Sequence, residues 1–179
     1  MQDGRESVLA VFPFFHSFGW TGVQHLSILA GWTDILVPHP EPQAIIEIMR
    51  KHTPTLLPAI PTVFKSLLAR EEFRRMKLSS LKGFLSGAAP LPPSVINELK
   101  ALKDNPVINI YGLAETCLMG TATPWSGPEK PGTVGLPLPG ADVRIVDAET
   151  GTRVLPAGEA GEICFKGPQV MKGYYKKPE

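Results

Sequence analysis

The chain has 179 residues, enough for one ordinary domain or a large part of a bigger one. Its 18 Lys and Arg residues nearly balance its 17 Asp and Glu residues, which excludes the broad basic surface that nucleic-acid binding needs. With 43% hydrophobic and 20% charged residues, the composition is that of a globular protein and excludes a disordered one.

The cysteines and the longest apolar stretch indicate the cellular compartment in which the protein is expected. Cys117 and Cys164 stand in unrelated contexts, so they form neither a disulfide framework nor a CxxC pair, which favours a reducing compartment. The apolar stretch 18–37 is interrupted by Gln24, His25 and Asp34 and is not expected to cross a bilayer. We therefore expect a soluble, cytoplasmic protein.

In the first 111 residues, short apolar runs alternate with helical patterns. The runs lack polar alternation, which is typical of strands buried on both faces of a parallel sheet. They cover residues 8–12, 34–37, 55–60, 83–88 and 107–111.

Prolines predict where the intervening helices begin. Pro42 and Pro61 suit the first helical position, and a third helix opens at residues 92–94. Residues 20–30 are apolar nearly all round, which predicts a fully covered helix. Repeated strand–helix units indicate an α/β fold: a mostly parallel sheet flanked by helices.

The pattern changes near residue 123. Residues 124–140 are too rich in Pro and Gly for a long helix or an interior strand. Beyond them, 142–147 and 162–166 alternate as antiparallel strands, and 148–151 predicts a turn. We predict an α/β portion over residues 1–123, followed over 124–179 by a Pro/Gly-rich connection and the incomplete start of a β-rich subdomain.

Three segments follow predicted strands and should meet where ligands bind, beyond the carboxyl ends of the sheet. They are residues 13–19, 86–91 and 109–116. The last brings together the ring of Tyr111, a glycine, the carboxylate of Glu115 and a hydroxyl. That set suits a nucleotide: a ring to stack on a base, a hydroxyl for a phosphate and a carboxylate for Mg²⁺.

Each signal alone also has a plainer interpretation. His16 among phenylalanines is more typical of a packed or capping histidine, and residues 87–89 could simply be a strand-to-helix turn. Glu115 could merely complement a helix dipole. The remaining histidines and Cys117 lack metal-ligand spacing, and the sequence contains no G-x-S-x-G elbow, P-loop or G-x-G-x-x-G fingerprint.

In their order along the chain, five segments resemble the motifs of the AMP-forming acyl-CoA synthetases, within the adenylate-forming superfamily. Tyr-Gly-Leu-Ala-Glu-Thr (111–116) follows Ser-Gly-Ala-Ala-Pro-Leu (86–91) and precedes Gly-Thr-Val-Gly-Leu-Pro (132–137). Residues 13–19 are similar to the family's Phe/His-Gly motif, and 161–175 are similar to a further one. The resemblance covers essentially the whole chain.

The resemblance implies a two-step reaction. A carboxylate attacks the α-phosphorus of ATP to give an acyl-adenylate and pyrophosphate, and coenzyme A then takes the acyl group. Tyr111 would stack on adenine, Thr116 would hold the α-phosphate, and Glu115 would bind Mg²⁺. His16 would line the acyl pocket near the reacting carboxylate. Further nucleotide contacts would come from backbone at Gly87, Ala88, Ala89 and Gly112.

Other parts of the family pattern are missing from the sequence. A Ser/Thr/Gly-rich phosphate loop is expected well before Pro13, a ribose-binding aspartate after the Gly-Tyr-Tyr of 173–175, and a mobile C-terminal domain with a catalytic lysine beyond. We therefore expect a middle fragment of a synthetase that is inactive by itself, and we expect it to self-associate through an exposed sheet edge. Peripheral membrane contact of the parent protein stays open.

The resemblance also bears on the substrate, because amino-acid-activating relatives usually place an aspartate soon after the motif that residues 14–16 resemble. Phe14, Phe15, Phe18 and Trp20 are apolar, and no acid that could pair an α-amine occurs before Asp34. This favours a fatty acid over an amino acid, while an aromatic acid would suit the same lining. A noncatalytic nucleotide- or acyl-binding module of the same fold is the alternative from another functional class.

Overall fold

The computed structural model describes residues 1–127 and 130–177. Seven strands form one sheet in the order β2-β1-β3-β4-β5-β6-β7, in which β1 to β5 are parallel and β6 and β7 are antiparallel. The strands are β1 Ser7–Ala10, β2 Thr33–Leu36, β3 Leu56–Pro58, β4 Gly83–Ser86, β5 Val107–Tyr111, β6 Thr121–Ala122 and β7 Leu136–Pro137. This confirms the expected α/β class with a mostly parallel sheet.

The connections between the parallel strands are helical. A π-helical segment, Phe18–His25, runs directly into α1, and later helices begin at the predicted prolines. Pro suits a first helical position because its missing N–H would have no intrahelical partner there. The helices are α1 Leu26–Ala30, α2 Pro42–His52, α3 Pro61–Leu68, α4 Glu71–Arg74 and α5 Pro93–Leu102. The sequence did not predict α4, a single turn whose Phe73 is buried.

The core lies between the sheet and these helices. Apolar side chains from β1, β3 and β4 meet those of α2, α3 and α5 in one core, as a parallel sheet flanked by helices requires. Fully buried members include Leu9, Ile45, Leu57, Phe64, Phe84 and Leu99. The continuous apolar runs in the sequence therefore correspond to strands covered on both faces.

The structure corrects one prediction about this core. Residues 20–30 do not form a fully covered helix, because Trp20, Ile28 and Leu29 are 49%, 72% and 86% exposed. Only one side of the π-helical segment and α1 packs on the sheet, through Phe18, Val23 and Ser27. An apolar sequence thus covers both a buried and an exposed face here.

The outer strand β2 also differs from the interior strands. Within the described parts of the chain it pairs with β1 alone, and Leu36 at its end is 57% exposed. An edge of this kind is where the expected self-association would occur, and that expectation stays a prediction. Among the described residues, no helix combines the length and apolar character needed to span a membrane.

A separate antiparallel hairpin follows the sheet. It pairs β8, Asp142–Val146, with β9, Glu162–Lys166, as the alternation predicted. The predicted boundary at residue 123 stays a prediction. β7 lies beyond it and still hydrogen-bonds to β6 of the main sheet.

Candidate functional site

Tyr111 ends β5 at the carboxyl edge of the parallel strands, and the chain turns sharply after it. Cys117 and Leu118 adopt φ of 50° and 96°, which reverses the chain and brings the Leu118 carbonyl against Gly112. A Cβ at Gly112 would lie 1.7 Å from that carbonyl oxygen, so this position requires glycine. The turn therefore depends on the close contact between the Gly112 backbone and the Leu118 carbonyl.

A cavity of about 440 Å³ lies beside Tyr111. It is called the Tyr111 cavity below. Its walls are residues 88–91, 109–113 and 132–134. Segments 88–91 and 109–113 follow parallel strands and meet at the carboxyl edge of the sheet, and 132–134, which precede β7, complete the walls.

Ala88 and Ala89 form part of this wall, and Gly87 is buried next to them. A Cβ at Gly87 would lie 2.9 Å from the Phe18 ring and 3.0 Å from the Ile110 carbonyl oxygen. Ala88 adopts a φ of 64°, an uncommon conformation for a residue with a side chain, and both Ala88 and Ala89 are exposed. Small side chains here leave the backbone accessible from the cavity.

His16 lies in the loop after β1, next to the place where the strand order reverses between β1 and β3. Its Nδ1 accepts the Phe18 backbone N–H at 3.1 Å, and the residue remains exposed. It lines a second cavity of about 350 Å³, the His16 cavity, which shares Ala88 and Gly112 with the Tyr111 cavity. His16 therefore both accepts a local backbone hydrogen bond and lies beside the candidate site.

Thr116 closes the 3₁₀ turn Ala114–Thr116. Its buried hydroxyl accepts the Leu113 backbone N–H at 2.9 Å and donates to the Leu113 carbonyl at 3.1 Å. A phosphate contact from this hydroxyl would replace the bond to the carbonyl. Thr116 thus has a structural role that the sequence did not predict.

Glu115 extends from the same turn and meets the segment 171–177. The Tyr174 hydroxyl donates a short hydrogen bond to Glu115 Oε1, and the Met171 backbone N–H donates to the Glu115 carbonyl at 2.8 Å. The Tyr174 hydroxyl, aided by the backbone N–H of Glu115 itself, holds the pKa of the carboxyl below its usual value. The same contact raises the pKa of Tyr174.

Phe165 of β9 is a further residue that sequence reasoning missed. Its ring stacks on Tyr111 with centroids 6.1 Å apart and planes 28° apart. A Cβ at Gly120 would lie 2.2 Å from the Phe165 ring, so glycine makes room for it. Phe165 and Tyr174 both belong to segments whose resemblance was noted, but nothing in their spacing signals contact with 111 or 115.

The donors available for a cation are few. Among residues 1–127 and 130–177, no group of three or more His, Cys, Asp or Glu side chains could hold a metal ion. Glu115 is a partly exposed, ionised carboxylate with one oxygen engaged by Tyr174. Such a site fits Mg²⁺ when substrate phosphates and water supply the other oxygens, as is usual for this cation.

Comparison with known proteins extends over nearly the whole chain. A long-chain-fatty-acid–CoA ligase of Bacillus subtilis is 42% identical over 179 residues, which are 100% of this chain and 32% of the relative. A ligase of the same name from Salmonella typhimurium is 31% identical over 180 residues and is covered to 32%. The chain thus spans about a third of the length of these relatives.

Solved structures share the fold of this chain. ATP-bound MatB from Rhodopseudomonas palustris superposes with a TM-score of 0.90 at 33% identity, over 99% of this chain and 34% of that one. A long-chain-fatty-acid-CoA ligase from Archaeoglobus fulgidus gives 0.87 at 28% identity, over 98% of this chain and 37% of that one. The family model described as AMP-binding enzyme matches residues 1–175, and the chain belongs to that family.

Proposed function

We propose that this chain forms the nucleotide-facing wall of an acyl-CoA synthetase that activates a fatty acid with ATP and transfers the acyl group to coenzyme A. The observation that carries the proposal is the meeting of residues 88–91, 109–113 and 132–134 around one cavity at the carboxyl edge of the sheet. The names of the Bacillus subtilis and Archaeoglobus fulgidus relatives support the fatty-acid substrate.

Tyr111 is the proposed adenine-stacking residue. Its ring is half-buried at the end of β5, and Phe165 packs against it, so its orientation is restrained before any ligand arrives. Ala88, Ala89 and Gly112 present backbone beside it without bulky side chains, and Gly87 lies buried next to them. A planar base could therefore approach the main chain closely.

Glu115 and Thr116 are the proposed phosphate-side residues. Glu115 would hold Mg²⁺, which neutralises charge near the leaving pyrophosphate when bound. Thr116 would turn its hydroxyl from the Leu113 carbonyl towards the α-phosphate, while the Leu113 N–H bond keeps the turn in place. The two residues adjoin in one turn next to Leu113, which lines the Tyr111 cavity, and both would act on the phosphates of the same ligand.

His16 is the proposed acid-side residue. The His16 cavity adjoins the Tyr111 cavity through Ala88 and Gly112, so an acid placed there would lie next to the nucleotide. The Phe18 N–H occupies Nδ1 and leaves Nε2 for the carboxylate. Because the carboxylate and ATP would be held side by side, two anions that repel each other in solution would react within a single complex.

The experiment compares the two half-reactions in a full-length protein that carries this chain. Glu115→Gln keeps the size of the side chain and removes its charge, so we expect adenylate formation to fall about 100-fold. Thioester formation from supplied acyl-adenylate should suffer less, because pyrophosphate has already left. Glu149→Gln, on an exposed turn, is the matched control and should leave both rates unchanged.

Two results would contradict the proposal. Normal rates in both half-reactions for Glu115→Gln would show that this carboxylate holds no catalytic cation. Nucleotide binding with no adenylate from any fatty or aromatic acid would indicate a noncatalytic binding module. Adenylation of aromatic acids alone would support the proposed reaction but replace the fatty acid by an aromatic acid as the substrate.

A further inference from the structure

We propose that Tyr174 is a positioning residue for Glu115, holding the carboxylate in the orientation in which it binds a divalent cation. The inference rests on the proposed function, since it assumes that Glu115 is the cation ligand. It adds a residue of the 171–177 segment, at the far end of the chain, to the machinery of the nucleotide site.

Two hydrogen bonds join the 171–177 segment to Glu115. The Tyr174 hydroxyl donates to Glu115 Oε1 across 59 positions of sequence. The Met171 backbone N–H donates to the Glu115 carbonyl at 2.8 Å, which fixes the segment to the turn independently of the tyrosine side chain. Removing the hydroxyl therefore leaves the backbone attachment intact.

The Glu115 carboxylate can bind a cation and accept the tyrosine hydrogen bond at the same time. A carboxylate offers about four lone-pair positions on two oxygens, and the Tyr174 hydroxyl and the Glu115 backbone N–H take one each. The remaining positions stay available to a cation, while the hydrogen bond limits rotation of the group. Carboxylates that ligate metals are commonly held by such a partner, and loss of the partner typically weakens metal binding about 10- to 100-fold.

The neighbouring tyrosine provides a matched control. Tyr175 is 88% exposed, and the ammonium of Lys176 lies 5.3 Å from its ring centroid. Tyr174 is itself 57% exposed, so Tyr174→Phe removes one hydroxyl from a surface position and is expected to fold. Tyr175→Phe removes the same atom one residue away.

The test measures Mn²⁺ binding in the presence of ATP, by electron paramagnetic resonance, in a full-length protein that carries this chain. We expect Tyr174→Phe to weaken Mn²⁺ binding about 10-fold or more and Tyr175→Phe to leave it unchanged. Raising Mg²⁺ should restore the adenylation rate of Tyr174→Phe to that of the unmodified protein. It should not restore Glu115→Gln, which lacks the ligand charge.

The outcomes separate this inference from the proposed function. Unchanged or tighter Mn²⁺ binding in Tyr174→Phe, with Glu115→Gln weakened, overturns the positioning role alone. Unchanged binding in both variants overturns the cation role of Glu115. A lower melting temperature of Tyr174→Phe with unchanged Mn²⁺ affinity would make the tyrosine a structural residue and also overturn the inference.

Discussion

The parallel sheet and the β8–β9 hairpin are stabilised in different ways. Strands β1, β3, β4 and β5 are largely buried, and their side chains share one continuous core with the helices. In the hairpin, Val146 is the one residue of β8 and β9 that is buried in the described structure. The sheet is thus stabilised by its own apolar packing, and the hairpin depends on strand pairing and on contacts at the site.

The candidate site lies where these two regions meet. Tyr111 belongs to the sheet, and its ring contacts Phe165 of the hairpin. Glu115 follows the sheet and is held by the segment after the hairpin. The nucleotide wall itself therefore lies outside the hairpin, which reaches the candidate site through Phe165, while the segment after it does so through Tyr174.

The largest expected effect comes from opening the sheet core. Phe84 is fully buried and meets Phe64 edge-on, with centroids 6.0 Å apart. Phe84→Ala should lower the free energy of unfolding by about 3–5 kcal/mol, because it leaves a cavity that the packed helices cannot close. Urea unfolding measures it, with exposed Leu136→Ala as a control near zero. A loss under about 1 kcal/mol would contradict a close-packed sheet core.

A smaller loss of unfolding free energy is expected when an ion pair is broken, and its size should differ between the two regions. Glu6 has a fully buried side chain that accepts a hydrogen bond from Lys82 at 2.7 Å. Burial alone would raise the pKa of Glu6, but the bonds from Lys82 and the Gln2 N–H outweigh it and lower that pKa. Lys82→Met should therefore destabilise the protein by about 1–3 kcal/mol, since it leaves a buried charge without its partner.

The hairpin offers the matching pair. Arg144 bonds Asp142 at 2.9 Å, and both side chains are largely exposed. Arg144→Met should change the free energy of unfolding by no more than about 0.5 kcal/mol, as is usual for surface pairs. Equal losses for Lys82→Met and Arg144→Met in urea unfolding would remove the contrast between the two regions.

The smallest effect is a titration in the hairpin loop. Backbone N–H groups of Thr150 and Arg153, with the Thr150 hydroxyl, lower the pKa of Asp147 to about 2. A lowered pKa means that the stabilisation is complete above the ordinary value of 3.8 and is lost as pH falls towards about 2.

Carboxyl NMR measures this titration directly. Amides of residues 148–153 should shift over the same acid range, and amides of the sheet core should not follow the Asp147 titration. Asp147→Asn is the control, because it removes the titrating group. An Asp147 midpoint near 3.8 would show that the loop bonds do not persist in solution.

Much of the sheet side could be predicted from sequence, and the physical reason is burial. Strands β4 and β5 are covered on both faces, so their apolar runs identify them directly, and Pro42 and Pro61 mark helix starts through their missing N–H. The carboxyl ends of parallel strands then predict the meeting of 86–91 with 109–116.

The remaining features depend on contacts between distant segments. Apolarity all round residues 20–30 could not show which face would stay exposed. The pairs Phe165–Tyr111 and Tyr174–Glu115 join segments more than fifty positions apart, and no periodicity signals such pairing. Thr116 also gave no sign that its hydroxyl would bond to Leu113.

In the proposed site Tyr111 contacts the nucleotide, so the ATP dissociation constant should depend on its ring. Calorimetry on a full-length protein that carries this chain would compare Tyr111→Ala with the control Tyr175→Ala, at an exposed position. We expect Tyr111→Ala to weaken ATP binding by about 1–3 kcal/mol, the usual contribution of one base–aromatic stack, and Tyr175→Ala to leave ATP binding unchanged. Equal ATP affinity in Tyr111→Ala and the unmodified protein would contradict the assignment of the Tyr111 cavity to adenine.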